Sequence, residues 1–387
     1  MREAGHPLPA DILLVDDTPE NLRLLSQALG ERGYGVRAVT SGARALESAI
    51  AAPPDLILLD IRMPGMDGYE VCRRLKENEQ TRAIPVIFIS AVDEIQDKVE
   101  AFHAGGVDYI TKPFRVEEVF ARTETHLSLR RLQSRLEQVN VRLERELALA
   151  GKLQASFPPD PMPIVPGWEL AASLLPARET SGDFYDVLRL PDGGLGLMIA
   201  DVVDKGVPAA LLMAMSWSML CAYAEEQPRS PLSVFQAVNQ GLIRHLGGEQ
   251  FLTAFYATLD PSNGDFTYCN AGHVPPLLTN PSHPLESLRG SGPALGVIEQ
   301  AGWEPRTLKL SPGMVLVLYT DGVTDAEGPG GQFYGLDRLE RVVREVQDRS
   351  ATEVRDAILA DIAAFSEGTP RFDDMAIFVV RRTPQAD

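Results

Sequence analysis

Cysteine is scarce in this chain of 387 residues, and its three copies, Cys72, Cys221 and Cys269, follow no metal-ligand or redox spacing. That excludes a thiolate metal centre and a dithiol redox pair, and predicts reduced, mostly core thiols in a cytosolic, cytoplasmic protein. Positive charge is also short: 36 basic against 54 acidic residues leave a net charge of −18. Such a balance argues against nucleic acid or an anionic membrane as the main partner, although acidity also simply keeps a protein soluble. No basic segment resembles a helix-turn-helix, so a DNA-binding regulator fails as a reading. Residues 1–10 lack the apolar stretch of a signal peptide. Long apolar runs are missing with one exception, the uncharged stretch Val207 to Ala224. It contains Pro208, Ser216 and Ser218 and follows a glycine turn after a strand, which predicts a buried core helix rather than a membrane span. There is no internal repeat, no low-complexity tract, no P-loop and no catalytic Ser-His set.

What remains is ordinary globular composition, 44% apolar and 23% charged, in a chain long enough for two or three domains. From Asp11 to about Thr125, short apolar runs alternate with amphipathic stretches. Ile12–Val15, Val36–Val39, Leu56–Leu59, Val86–Ile89 and Asp108–Ile110 read as strands, with helical spacing in Asn21–Leu29, Ala43–Ala51, Tyr69–Lys76 and Ile95–Ala104. Strict β/α alternation predicts a five-stranded parallel sheet covered on both faces, with ligands collecting at the carboxyl ends of its strands.

From Glu117 to about Ser156 there is no proline, and no glycine before Gly151. Leu129, Leu132, Leu136, Val139 and Leu143 recur at spacings of three and four among Arg and Glu. That predicts a short coiled-coil seam that drifts at Leu147 and Leu153, and hence a dimer-forming linker. Pro158, Pro159, Pro161, Pro163 and Pro166 then mark a border. Beyond it, strand runs (Trp168–Ser173, Leu195–Ala200, Thr253–Leu259, Phe266–Asn270, Val315–Tyr319, Met375–Val380) alternate in groups with helical stretches (Val207–Ala224, Pro231–Leu246, Leu336–Asp348, Thr352–Phe365). This pattern predicts an α+β layered domain with antiparallel sheets. The boundaries read as a tail at 1–10, a first domain at 11–125, a helical coiled-coil linker at 126–157 and a second domain at 158–383.

Two sets of aspartates end apolar runs, where a carboxylate is expensive unless a cation or a reaction uses it. In the first set, Asp16, Asp17 and Asp60 converge at one sheet edge, so a divalent cation is the natural occupant. With Mg²⁺ there, a carboxylate oxygen can attack a phosphoryl donor while Lys112 neutralises the developing charge and Ser90 bonds a phosphoryl oxygen. These residues resemble the receiver domain of two-component response regulators, a flavodoxin-like fold. The resemblance implies that Asp60 is phosphorylated by a histidine kinase, with Asp16, Asp17 and the Arg62 carbonyl as Mg²⁺ ligands. It also implies that Ser90 and Lys112 are the switch hydroxyl and catalytic lysine, Tyr109 the rotating aromatic, and Lys112-Pro113 a cis junction. A phosphoryl group on Asp60 would pull Ser90 inward, let Tyr109 fill the vacated space, and alter the surface next to the linker.

The second set is Asp183 in Ser181-Gly182-Asp183-Phe184-Tyr185-Asp186, Asp201, Asp321 and Asp373. Hard carboxylates of this kind suit two Mg²⁺ or Mn²⁺ ions, whose bridging water attacks phosphorus in line. Asp201 is the best bridging ligand; Asp321 and Asp373 complete one metal, Asp183 and the Val202 carbonyl the other. The stretch from about Leu153 to Arg381 resembles the metal-dependent PPM-type serine/threonine phosphatases, and most closely their sporulation and stress-response branch. Asn270-Ala271-Gly272-His273-Val274-Pro275-Pro276 and Asp321-Gly322-Val323-Thr324-Asp325 match the recurring stretches of that branch. The resemblance implies a β-sandwich with flanking helices and a phosphorylated anti-sigma factor antagonist as substrate. One departure stands out: Val203-Asp204-Lys205-Gly206 carries Asp204 where the family has glycine, which opens the way to altered activity or metal choice. His273, among Gly and Pro residues, reads as part of a structural turn. The rival reading is a catalytically weak or inactive phosphatase-like adaptor that sequesters a signalling partner.

Overall fold

The computed structural model describes residues 10–91, 95–159, 161–247, 250–280, 283–290 and 292–384, without the side chains of 95–98 and 283. Two compact units divide the chain, Met1–Val141 and Arg142–Asp387.

In the first unit the elements run β1 (Asp11–Val15), α1 (Pro19–Glu31), β2 (Gly35–Val39), α2 (Gly42–Ala51), β3 (Leu56–Asp60), α3 (Gly68–Glu77), β4 (Val86–Ser90), α4 (Ile95–His103) and β5 (Asp108–Thr111). The strands form one parallel sheet in the order β2-β1-β3-β4-β5. β3 and β4 are buried at every position, because helices cover both faces and leave no side for polar residues. Successive side chains therefore serve two cores. Leu13, Ile57, Leu59 and Phe88 belong to one, and Ile12, Leu14, Leu58 and Ile89 to the other. The order of strands places the carboxyl ends of β1 and β3 side by side, with Val15 opposite Leu59, so Asp16 and Asp60 emerge together.

A 39-residue helix, α5 (Val116–Gln154), begins in this unit and ends in the next. Its start packs Val119 and Leu127 into the second receiver-side core. Farther on, Leu129, Leu132, Leu136, Val139 and Leu143 are all half or more exposed.

The second unit contains β6 (Trp168–Leu175), β7 (Phe184–Arg189), β8 (Leu195–Val202), α6 (Val207–Glu226), α7 (Pro231–Leu246), β9 (Leu252–Leu259), β10 (Asp265–Ala271), β11 (Leu277–Asn280), β12 (His283–Ser287), β13 (Arg306–Lys309), β14 (Val315–Tyr319), α8 (Asp321–Thr324), α9 (Leu336–Val346), α10 (Ala351–Phe365) and β15 (Met375–Arg382). Two five-stranded sheets result, ordered β13-β10-β9-β8-β7 and β12-β11-β14-β15-β6. Alternation along each strand explains the layers. Leu197, Ile199, Phe255 and Ala257 from one sheet meet Leu316, Leu318, Phe378 and Val380 from the other in a shared core. Their neighbours Met198, Ala200 and Tyr256 face α6 and α7, while Val315, Val317, Ile377 and Val379 face α9 and α10. The architecture is thus helix, sheet, sheet, helix, an α+β sandwich with flanking helices.

Among the described residues α6 is the one helix long and apolar enough to cross a membrane. Here Ala209, Leu212, Met213, Leu220 and Ala224 pack one face into the core beneath the first sheet, while Val207 and Leu211 are exposed, so the helix is buried on one side and not throughout as the sequence suggested. The strand β7 is absent from the sequence-based reading, which treated Phe184-Tyr185-Asp186 as part of a site motif.

Among the described residues, the turn between β8 and α6 contains the one residue other than glycine with a positive φ. Asp204 has φ of 81° and Gly206 φ of 80°, a region that suits glycine but not aspartate. Asp204 is exposed, and its Oδ1 accepts the Lys205 amide at 2.9 Å, a local bond that offsets part of the strain. Asp204→Gly should therefore raise stability by about 1 kcal/mol, read from urea unfolding of the full chain. A loss of stability would show that the Asp204–Lys205 bond outweighs the strain.

Candidate phosphoryl and metal sites

In the first unit Lys112 reaches back across the sheet edge. Its Nζ lies 2.9 Å from Asp16 Oδ2 and 2.9 Å from Asp60 Oδ2. Asp16 is buried and also accepts the Thr18 amide at 2.8 Å and the Asn21 side chain at 2.9 Å. Burial pushes the Asp60 carboxyl up, Asp16 adds to the rise, and Lys112 with the Arg62 amide opposes it. Burial would lower the Lys112 ammonium, but its bonds to Asp16 and Asp60 hold it above its ordinary value. Oxygens of Asp16, Asp17 and Asp60 all come within 4.8 Å of one another, a hard-oxygen set that fits a small divalent cation. Asp17 is exposed at this edge, as an entry side requires.

Ser90 is buried at the end of β4, and its carbonyl accepts the Lys112 amide at 2.6 Å. Tyr109 is half-buried on β5, edge-on to Phe102 at 6.2 Å and 5.8 Å from the Arg122 guanidinium. The Lys112-Pro113 bond is cis. Gly68 is required by packing: a Cβ there would overlap the Asp60 carbonyl oxygen.

The second set is assembled by strand register. Phe184 pairs with Ala200, so Asp183, one residue before β7, lies beside Asp201 near the end of β8. Tyr319 pairs with Ile377 in the other sheet, so Asp321 after β14 and Asp373 before β15 gather at the same end. Thr320 joins the sheets, donating from Oγ1 to Asp183 Oδ2 at 2.6 Å while accepting the Ala376 amide at 2.9 Å.

Electrostatics register the convergence. Burial, then the neighbouring Asp201, drives Asp183 well above the usual carboxylate range. Asp201 rises from burial, then from the charges of Asp321, Asp373 and Asp374. Asp321 rises from burial and from Asp373. Carboxylates that resist ionisation because of one another mark a place where positive charge fits, and an all-oxygen donor set suits Mg²⁺ or Mn²⁺. Lys205 contributes some of that charge: its Nζ is 3.0 Å from Asp373 Oδ1 and 2.9 Å from the Phe372 carbonyl.

Five residues here were given no role from the sequence. Asp374 accepts the Ala177 and Gly182 amides, each at 2.7 Å, and so fixes the turn that presents Asp183. Its signal was the doubled aspartate of Phe372-Asp373-Asp374-Met375. Gln154, the last residue of α5, accepts the Ser181 amide at 3.0 Å and donates to the Ser181 carbonyl at 3.0 Å. Nothing in sequence marks it. Gly151, one turn earlier, lets the helix approach, since a Cβ would overlap the Glu179 carbonyl oxygen. Thr320 and Lys205 complete the frame. The Val202 carbonyl borders the same turn, 3.2 Å from where a Cβ on Gly182 would stand.

His273 is buried, and burial lowers its pKa to about 4, so the ring is neutral near pH 7. Nε2 donates to the Tyr319 carbonyl at 3.1 Å, which leaves Nδ1 to accept from the Thr253 hydroxyl at 2.8 Å. The ring thereby pins the end of β14 to β9, in keeping with a structural turn. Asp204 has its Oδ1 committed to the Lys205 amide.

Known families match both parts of the chain. The response regulator receiver domain family matches residues 12–124, and the stage II sporulation protein E (SpoIIE) family matches residues 191–383. Protein IcfG of Synechocystis sp. is 32% identical over 263 residues, which is 61% of this chain and 41% of that protein. Phosphoserine phosphatase RsbU of Bacillus subtilis is 26% identical over 260 residues, 67% of this chain and 74% of that protein. The chain spans less than half the length of the first curated relatives it matches. The solved SiaA-PP2C domain of Pseudomonas aeruginosa has the same fold, with a TM-score of 0.58 at 21% identity over 63% of this chain and 98% of that one. The chain therefore joins a response regulator receiver domain to a SpoIIE-family domain with the PP2C fold.

Proposed function

We propose that the protein is a cytoplasmic response regulator whose output is hydrolysis of phosphoserine or phosphothreonine on a partner protein. A histidine kinase would phosphorylate Asp60, and a phosphorylated anti-sigma factor antagonist is the substrate class that fits. The observation that carries the reading is the gathering of Asp183, Asp201, Asp321 and Asp373, two from each sheet, at one end of the sandwich, where burial and neighbouring carboxylates raise Asp183, Asp201 and Asp321. An adaptor without turnover gains nothing from keeping four mutually repelling carboxylates at a sandwich end.

In this reading Asp16, Asp17, Asp60 and the Arg62 carbonyl hold Mg²⁺ in the receiver. Asp183, Asp201, Asp321, Asp373 and the Val202 carbonyl hold two Mg²⁺ or Mn²⁺ ions in the effector. Those ions supply Lewis acidity for attack of water on a phosphate monoester. The chain's own groups do the positioning: Thr320 and Asp374 orient Asp183, and Lys205 adds positive charge beside Asp373. Asp60, Ser90, Tyr109 and Lys112 form the input switch. Residues 126–157 would carry the signal, because Gln154 is tied to the residue two places before Asp183. The exposed stripe Leu129 to Leu143 would pair two copies of α5 as a coiled coil.

Three outcomes test these assignments. Asp201→Ala or Asp321→Ala should leave the circular dichroism spectrum unchanged and cut Mn²⁺-dependent phosphopeptide hydrolysis below about a tenth of wild type, given the usual cost of losing a metal ligand. Asp60→Asn should fold and abolish the difference in rate between acetyl phosphate-treated and untreated protein; a difference that persists separates the receiver from the output. Leu136→Glu should weaken self-association at least about 100-fold by burying an uncompensated charge in the seam. Sedimentation equilibrium would register that change, and equal association of both proteins would exclude the seam.

A further inference from the structure

A cavity of about 410 Å³ lies beside the proposed metal cluster and is used by none of the roles above. Its floor is apolar, made by Leu175 at the end of β6, Leu359 and Ile362 of α10, and Met375 at the start of β15. Its lip is Phe372 and Asp373. Gly322, directly after Asp321, also borders it. The cavity thus borders the cluster at Asp373 and at the residue that follows Asp321. Phe372 is 73% exposed, a large aromatic ring held at the edge of an acidic site. The Lys205 ammonium stands 6.0 Å from that ring, so the lip offers apolar surface and positive charge together.

We infer that this groove is the docking site for the segment of the protein substrate next to its phosphorylated residue, and that it selects an apolar side chain there. The inference rests on the phosphatase reading. Three features commit the groove to that occupant. Asp373 belongs to both places, so a phosphate at the cluster puts its own neighbouring residues at the groove mouth. An extended chain advances about 3.3–3.6 Å per residue, so side chains one to three positions from the phosphoserine reach the floor. The volume falls within the range of about 300–1,000 Å³ typical of specific ligand sites and exceeds the needs of one aliphatic side chain. A small phosphate ester would occupy the cluster without entering the groove.

Ala363 provides the test. It lines the groove from α10, is exposed to solvent, and holds no place in the cluster, so Ala363→Trp fills the groove without disturbing the core. The full chain is assayed with Mn²⁺ on p-nitrophenyl phosphate and on two phosphoserine nonapeptides. One peptide carries leucine two residues to either side of the phosphoserine, and the other carries glycine there. Wild type should prefer the leucine peptide at least tenfold in kcat/KM, mainly through KM. Ala363→Trp should reduce that preference to within twofold while p-nitrophenyl phosphate turnover stays within twofold of wild type. No preference in wild type, or an equal loss on all three substrates in the variant, overturns the groove assignment. If wild type hydrolyses none of the three, the phosphatase reading fails. The groove is then judged by fluorescence anisotropy of the labelled leucine peptide. At least tenfold tighter binding to wild type than to Ala363→Trp supports it, and equal binding overturns it.

Discussion

Like charges withdrawn from water repel one another more strongly than they do in solution, and this chain sets such charges together twice. Each cluster stands where an apolar strand leaves the core, so the surrounding low dielectric strengthens every interaction at that point. In the receiver the chain supplies most of its own remedy. Lys112 bridges Asp16 and Asp60 at equal distances of 2.9 Å, and only the exposed Asp17 looks outward. In the effector the remedy is partial, since the lysine contact falls on one of four aspartates, Asp373, while the deepest of them, Asp183, bonds the Thr320 hydroxyl and the neighbouring Asp201. That imbalance would give the second site its appetite for cations and, in the proposed function, divide the labour between a site that stores a phosphoryl group and one that removes it.

The fold exists to hold those repelling groups in place. Burying β8, β9, β14 and β15 on both faces fixes their register, because a slip by one residue would exchange the inter-sheet core for the helix-facing one. Fixed register in turn places Asp183 beside Asp201, and Asp321 beside Asp373, with no freedom to separate. Hydrogen bonds then do the fine positioning: Thr320 ties one sheet to the other, and His273 pins Tyr319. A neutral ring suits that duty, since a charged one would be desolvated at a cost of several kcal/mol.

Much of this could be read from residue order. Parallel strands announced themselves through short apolar runs ending in Asp16, Asp60 and Ser90, and the antiparallel unit through runs such as Val315–Tyr319, in which every position is apolar. Those signals are local, and locality set the limit. β7 went unread because Phe184-Tyr185-Asp186 is half apolar and follows a glycine turn; its strand character comes from pairing with Leu195–Ala200. β11, β12 and β13 are short strands of four or five residues, the last two at sheet edges, and periodicity has no length to build on there. Gln154 and Asp374 are polar residues of ordinary appearance whose importance lies in partners 27 and 192 residues away. No pattern within a window of the sequence reports such distances.

The end of α5 shows what those distant bonds are for. Gln154 offers both halves of its amide to one backbone unit, Ser181, and Phe157 stacks on Trp217 of α6 with ring centroids 4.7 Å apart. The helix end is therefore held at two points, one on the turn that presents Asp183 and one on the helix that follows Asp201. Trp217 in turn donates to the buried Asp186 at 2.8 Å, which links α6 back to β7. A displacement of the helix end along its axis cannot leave these partners behind without stranding a buried amide, at a cost of about 1–3 kcal/mol for each lost partner. Cheaper is for the Ser181–Asp183 turn to move with it. Since Asp183 is the most deeply buried member of the cluster and shares a hydrogen bond with Asp201, a small shift there would alter the proposed cation site more than a shift of the more exposed Asp373 would. The most buried carboxylate is thus the one best placed to receive a signal from the helix end.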